Sequence, residues 1–454
     1  MHLRPLLAAV FIATAALAST AFAAEPRGGA PASGGRSDAQ VSSKLVVYRG
    51  ASVLDPGGAL RADMAIVVRG THIESILPSA EAGSVSANAE LVDVKGLYAI
   101  PGLIDAHVHL ASVPNRPQAE MRLRRALFSG ITAVRDMAGD ARSVAEISRA
   151  AFTGEIAAPD VYFAATMSGA SFFDDPRTRA SAVGWPPGEA PWMQAITEET
   201  DISLAVARAR GTGASGIKLY ADLSAALVRK VTAEAHRQGI KVWAHGAVFP
   251  ATPQDVVEAG VDVVSHIGFV SIALAPQVPE RFRDLGGVDF ASILKGYREP
   301  DPRLQRIFGV MQQRGQILDA TVDSALNVEA ALPGALAATA RMTHQAYQSR
   351  VAIAAGTDRH NSDDDPFPPL YVELELLATK VGMPLAEVLR SATLIGARAA
   401  GQEREMGTLE PGKLANIVFL AKNPLEDIGN LRSITLTVKR GARYARSEFQ
   451  STTR

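Results

Sequence analysis

Between Tyr98 and Ala355 the chain alternates eight short strand-like runs with stretches of helical periodicity, and this alternation limits the fold more than any other feature. The runs are Tyr98 to Ile104, Ile131 to Asp136, Asp160 to Ala165, Gly216 to Tyr220, Lys241 to Ala244, Asp262 to Ser265, Gln316 to Thr321 and Val351 to Ala355. Between them lie segments such as Glu120 to Phe128, Ser224 to Gln238 and Pro302 to Gln313, where apolar residues recur at three- and four-residue spacing. Strand and helix in succession mark βαβ units, whose crossover connections force the strands parallel. An α/β fold follows, a closed (β/α)8 barrel of the TIM type over residues 98–404. The stretch from Met167 to Thr200 is rich in Gly, Pro, Trp and Phe and too irregular for a barrel helix. It reads as a loop over the barrel mouth, where long loops carry function.

The flanks have another texture. Residues 44–97 hold short β-branched runs (Lys44 to Tyr48, Met64 to Val68, Ile73 to Leu77), and residues 405–454 repeat the pattern in Ala415 to Leu420 and Ile434 to Val438. The two ends are expected to form one composite β-sandwich domain with the barrel inserted between them. Ahead of it, residues 24–43 are Gly, Ala, Ser and Pro with scattered charge, the composition of a disordered linker. Residues 1–23 read as a signal peptide: His2 and Arg4 precede an apolar run from Leu6 to Leu17, followed by Ala21-Phe22-Ala23 as a cleavage site. That run is shorter than the roughly 20 residues needed to cross a bilayer, so cleavage before Ala24 and an exported protein, periplasmic or secreted, are expected.

The chain has no cysteine, which excludes disulfides, thiolate ligands and a Cys nucleophile. Histidine, carboxylate and lysine must therefore carry any metal chemistry. With 46 basic and 47 acidic residues there is no electrostatic footprint for nucleic acid or an anionic membrane. The expected partner is a small-molecule substrate, with no membrane contact after signal removal and with homo-oligomer formation left open.

The strongest local signal is Pro101 to His109, because His107 and His109 lie two apart at the end of an apolar strand and so project from the same face. Asp105 shares that face and could orient a ligand or serve a turn. His245 and His266 close two further runs, and Asp358 follows the run from Val351. In such a barrel the C-terminal strand ends converge on one mouth. A carboxylate there can bind metal and also take a proton, which makes Asp358 the candidate general base. Lys218 is costly to bury as a cation inside its apolar strand. It could capture carbon dioxide as an anionic carbamate, reach solvent, or form an ion pair. His236 and His344 fall within polar helical patterns, His72 lies in the β unit and His2 in the signal segment, so none of the four is a candidate ligand.

In the runs PGLIDAHVHL, GITAVRDM, GIKLYAD, KVWAHG, AGVDVVSH, AGTD and GTLEPGKLAN the sequence resembles the amidohydrolase superfamily, in the branch of imidazolonepropionase-like proteins and metal-dependent Xaa-Pro dipeptidases. The resemblance spans about Lys44 to Tyr444. It implies two divalent metal ions, usually zinc: the first on His107, His109 and Asp358, the second on His245 and His266, with carboxylated Lys218 and a hydroxide between them. The implied reaction is attack of that hydroxide on a polarised amide carbonyl, with Asp358 passing the proton to the leaving amine and Tyr220 donating a hydrogen bond to substrate. Two departures stand out. Asn416 replaces the usual Asp of the closing motif, and Arg359-His360 are bulkier than the residues usual after the aspartate. Asn416 lies far along the chain from the metal ligands, so little effect on the chemistry is expected there; Arg359 and His360 could both reach the substrate, Arg359 as a bidentate anchor for a carboxylate. The leading expectation is hydrolysis of a dipeptide or N-acyl amino acid. A lactone or phosphoester hydrolase on the same site and a non-catalytic solute-binding protein are the alternatives, and a mononuclear deaminase would not need Lys218.

Overall fold

A computed structural model describes residues 45–84 and 88–449. The signal peptide and linker expected over residues 1–43 lie outside the described residues. The chain opens with β1 (Leu45–Leu54), β2 (Leu60–Arg69), β3 (His72–Pro78), β4 (Glu90–Asp93) and β5 (Tyr98–Pro101). Next come β6 (Leu103–Val108), β7 (Ile131–Asp136), β8 (Asp160–Ser168), the short β9 (Glu189–Ala190) and β10 (Met193–Ala195), then β11 (Gly216–Leu219), β12 (Lys241–His245), β13 (Val263–Ser265), β14 (Ile317–Asp319) and β15 (Ala352–Ala354). It ends with β16 (Ile417–Leu420), β17 (Ile434–Lys439) and β18 (Ala442–Ala445).

Strands β6, β7, β8 and β11 to β15 run parallel, each beside the next, and make the eight-stranded barrel. The seam is drawn together by Ala106 N–H donating to the Ala355 carbonyl and Asp358 N–H donating to the His107 carbonyl, both at 2.9 Å. The intervening helices form for local reasons that the helix Pro302–Arg314 shows well. Asp301 caps its first turn, Pro302 takes the position that needs no N–H, Leu304, Ile307, Phe308 and Met311 bury one face, and Gly315 ends it at φ 65°.

The expected first strand, Tyr98 to Ile104, is two strands. Tyr98–Pro101 pairs with β1 and β16 in the outer sheet, and only from Leu103 does the chain enter the barrel. Gly102 permits the change of sheet, since a Cβ there would stand 2.1 Å from Thr132 Oγ1. The outer sheet has the order β18-β17-β16-β5-β1-β2-β3, with β4 beside β1, so both ends of the chain contribute to it. Tyr48, Val53, Ile66, Ile73, Phe419 and Val438 fill its core. Fully burying a large apolar side chain contributes about 1.5–3 kcal/mol, which makes this cluster the main force holding the two ends together. Lys439 Nζ reaches Asp160 Oδ1 at 2.8 Å and Arg440 Nε reaches Asp160 Oδ2 at 2.9 Å, at the start of β8. The sheet is thereby pinned away from the C-terminal strand ends.

The segment from Met167 to Thr200 is more ordered than its composition suggests. It finishes β8, forms a short 3-10 helix (Ala170–Asp174) and a one-turn helix (Arg177–Ser181), then folds β10 back onto β8. No described helix is long and apolar enough to cross a membrane.

Candidate metal centre

Seven of the candidate residues arrive at one cavity by the same route, the C-terminal end of a barrel strand. His107 lies in β6 and His109 just beyond it, Lys218 in β11 with Tyr220 following, His245 ends β12, His266 follows β13, and Asp358 comes shortly after β15. All line the same cavity. His107, His266 and Asp358 each offer a ligand atom within 4.8 Å of the others. His109 Nε2 stands 3.1 Å from Asp358 Oδ1, and the His245 ring centroid is 5.0 Å from that of His266. His266 at φ 68° and Asp358 at φ 48° both occupy the left-handed region, where a non-glycine backbone costs of order 1–3 kcal/mol and is held only by its surroundings.

Those surroundings fix which nitrogen of each ring faces the cavity. His107 Nδ1–H donates to Asp319 Oδ2 at 2.7 Å. His109 Nδ1–H donates to the Ala138 carbonyl at 3.2 Å. The Thr321 hydroxyl donates to the Ala320 carbonyl at 2.8 Å, so it accepts from His266 Nδ1–H at 2.9 Å. With Nδ1 engaged, His107 and His266 keep Nε2 free to offer a lone pair, the arrangement in which histidine binds a metal, while His109 Nε2 lies 3.1 Å from Asp358 Oδ1, a contact that raises its pKa. Burial lowers the pKa of His107, takes that of His266 down to about 3 and that of His245 well below the ordinary value, so these imidazoles are neutral. Asp358 goes the other way. Burial pushes it up, but His107, His109 and His266 together hold it well below the usual carboxylate range, as an anion. Neutral imidazoles grouped around an ionised carboxylate are a donor set that fits a divalent cation.

Lys218 is 1% exposed, and its Nζ has no hydrogen-bond partner. Burial pushes its pKa down to about 7, with Arg135 adding to the effect and Asp319 and Asp358 opposing it. The expected escape to solvent and the expected ordinary ion pair are both absent from this side chain's contacts. An amine held partly neutral in an enclosed site is what carbamate formation requires. Tyr220 packs its ring 4.2 Å from that of His245, and burial raises its phenol pKa, so it is a protonated donor.

Beneath the cluster sit two residues that sequence reasoning missed. Asp319, fully buried, accepts from His107 Nδ1–H, from Arg135 Nη2 at 3.0 Å and from the Ser265 hydroxyl at 3.1 Å. Arg135, also fully buried, lies over the Trp243 ring at 4.7 Å and donates to the Ala106 carbonyl. Asp105 accepts from the N–H of His107 and from both the N–H and hydroxyl of Thr357, which joins the first strand to the segment bearing Asp358.

Two expected substrate contacts are not brought to the cavity. Arg359 Nε is bound to Asp323 Oδ2 at 2.7 Å and its side chain is absent from the cavity wall. From the left-handed backbone at Asp358 the next side chain runs instead to the fully buried Asp323. His360 also lies off the wall, and burial lowers its pKa to about 4. Asn416 is structural: its carbonyl accepts from Gly102 N–H and its side-chain oxygen from Arg440 N–H, both at 2.9 Å.

Comparison with known proteins agrees with this geometry. The chain is 24% identical over 416 residues to an imidazolonepropionase of Klebsiella pneumoniae, covering 85% of this chain and 95% of that protein. Among solved structures it resembles a Xaa-Pro dipeptidase with methionine bound in its active site, at a TM-score of 0.67 and 21% identity over 88% of this chain and 100% of the other. It likewise resembles the ochratoxinase of A. niger, at a TM-score of 0.69 and 21% identity over 89% and 96%. The amidohydrolase family profile matches residues 98–443, which takes in the whole barrel and the return to the outer sheet. With that match and a barrel-mouth donor set suited to a divalent cation, this chain belongs to the amidohydrolase family and is a hydrolase of small molecules.

Proposed function

We propose that the protein is a binuclear metal-dependent hydrolase, of the zinc type, that cleaves the amide bond of a dipeptide or N-acyl amino acid. The observation that carries this reading is the buried, unpartnered Nζ of Lys218 beside the His107, His266 and Asp358 group. One lysine, four histidines and a single carboxylate leave the site short of negative charge for two dications. Carboxylation supplies it: the Nζ lone pair bonds to carbon dioxide, a proton leaves to solvent, and an anionic carbamate results. His107, His109 and Asp358 would hold one cation and His245 and His266 the other, with the Lys218 carbamate between.

Bound divalent ions supply two things in such a site, a water acidified toward neutrality and a polarised carbonyl. The rest falls to the chain's own groups. Asp358 Oδ takes the proton of the attacking water and returns it to the leaving amine nitrogen. The Tyr220 hydroxyl donates to the substrate carbonyl oxygen as charge develops there. Asp319 and Thr321 keep His107 and His266 in the tautomers that ligation needs. The likeness to a Xaa-Pro dipeptidase favours a dipeptide as the substrate. The leader reading over residues 1–23 makes the enzyme an exported one, which N-terminal sequencing of mature protein starting at Ala24 would bear out.

The test is a screen of dipeptides and N-acyl amino acids against zinc-loaded protein, with Asp358→Asn in parallel. Wild-type protein should carry stoichiometric zinc and turn over one of these amides. The variant should fold, keep part of its metal and lose about 10²–10⁴ in kcat. Comparable turnover in both proteins, or no stoichiometric metal in the wild type, would refute the reading.

A further inference from the structure

The side of the cavity next to His245 is built of aromatic rings in one continuous layer. His245 stacks on Phe269 at 4.7 Å and 24°, Phe269 lies parallel to Phe282 at 6.2 Å and 5°, and Phe282 meets Phe172 edge-on at 5.8 Å. Tyr220 closes the layer, 4.8 Å from Phe172 and 5.8 Å from Phe282. All five rings line the cavity. They come from four different barrel-mouth segments, so their alignment is not a by-product of one helix face.

One side chain holds that layer together. Asp222 follows β11 at φ 56°. Its Oδ1 accepts from Phe282 N–H at 2.7 Å and its Oδ2 from the Ser171 hydroxyl at 2.6 Å, the residue before Phe172. The fit around it is close: a Cβ on Gly169 would lie 1.8 Å from the Asp222 carbonyl oxygen. Asp222 thus ties the loops carrying Phe172 and Phe282 to the strand that carries Lys218 and leads into Tyr220. Nothing in the hydrolytic chemistry proposed above uses it.

We propose that the site selects substrates carrying a planar aromatic group beside the scissile amide, seated on the Phe172, Phe269 and Phe282 layer, and that Asp222 is the positioning residue that keeps this layer assembled. The layer begins at a candidate metal-binding histidine, which places the ring next to the reacting bond. Rings pack against rings by offset and edge-on contacts as well as by area, so an aromatic side chain gains over a methyl group in such a wall. The amide part of this inference rests on the proposed function; the aromatic part does not.

The experiment separates the two. Calorimetric titration of zinc-loaded full-length protein with L-phenylalanine and with L-alanine reads ring recognition without turnover, and kcat/KM for N-acetyl-L-phenylalanine and N-acetyl-L-alanine reads it in hydrolysis. Phenylalanine should bind at least about tenfold tighter than alanine. Phe282→Leu, which keeps bulk and removes the ring, should shrink that ratio severalfold. Asp222→Ala should shrink it too, while Asp222→Asn, whose amide can serve both the Phe282 N–H and the Ser171 hydroxyl, should restore it. Equal affinities for the two amino acids, no heat with either, or equal kcat/KM values overturn the inference while leaving the hydrolase reading standing. Ring preference in binding with neither amide hydrolysed supports the inference and counts against amide hydrolysis. An Asp222→Ala protein that keeps the full ratio removes Asp222 from the account.

Discussion

Asp319→Asn is the most informative single change. The side chain is fully buried and bears a charge-assisted hydrogen bond from Arg135, a hydrogen bond from His107 and one from Ser265. The amide keeps the shape and one acceptor oxygen but removes the charge, which leaves the Arg135 guanidinium buried without a counterion. Breaking a buried pair on one side costs about 3–5 kcal/mol, and the retained acceptor puts the expectation near the low end, about 3 kcal/mol. The second consequence is separate in kind. A neutral partner no longer polarises His107 or holds its tautomer as firmly, and loss of such a partner weakens metal binding by about 10–100-fold. Urea unfolding of metal-free protein reads the first effect, and zinc competition against a chromogenic chelator reads the second. The contribution has a defined pH range. Burial pushes Asp319 up, but His107, Arg135 and His266 hold it below the usual range, so its stabilisation is present above the ordinary carboxylate pKa and is lost as pH falls through the depressed value. Asp319→Asn should therefore be nearest to wild type in strong acid. Unchanged unfolding free energy at neutral pH would refute the ion-pair reasoning, and zinc affinity within twofold of wild type would refute the link to His107.

Three further outcomes follow from particular contacts. Gly356→Ala sets a Cβ 2.3 Å from Asp319 Oδ1 and 2.8 Å from His107 Cβ, so it should cost about 1–3 kcal/mol by overpacking and lower zinc affinity as well, measured by the same two assays. Burial pushes Asp323 up to about 6 despite Arg359. A carboxyl raised in this way contributes most below its unfolded pKa and loses stability as pH rises through the folded value, a swing on the order of 2–3 kcal/mol, so Asp323→Asn should flatten the unfolding free energy between about pH 4 and pH 7. Protein loaded with zinc and ¹³C-bicarbonate should show a carbamate resonance that Lys218→Met lacks; a spectrum without it in wild-type protein would sink the carbamate.

The sequence was most readable where chemistry and spacing coincide. His107 and His109 declare themselves by strand parity, and His245, His266 and Asp358 by ending apolar runs, because the barrel brings all strand ends of one polarity to one place. Asp319 has no such signature. Its partners His107 and Arg135 lie 212 and 184 residues away, and inside the run from Gln316 to Thr321 it reads as one more strand residue. Arg359 misleads for the opposite reason. It neighbours Asp358 in sequence, but the left-handed backbone at φ 48° separates their side chains in space. The division of Tyr98 to Ile104 into two strands is equally hidden, since both halves are apolar and only the crowding at Gly102 reveals where one sheet hands over to the other. Order in the Met167 to Thr200 segment comes from pairing with β8, a tertiary contact that local composition cannot carry.

The outer sheet has a temporal consequence. β5, which leads directly into the first barrel strand, is flanked by β1 from the start of the chain and by β16 from near its end. During synthesis from the N-terminus, one edge of β5 therefore stays open while the whole barrel is made, and no internal fragment can close it. Loss of the last forty or so residues would strip β16 to β18 and expose that edge, along with Val53 and Tyr48, to pairing with other chains. A chain ended before β16 therefore lacks the pairing that completes the outer sheet and keeps one side of β5 open.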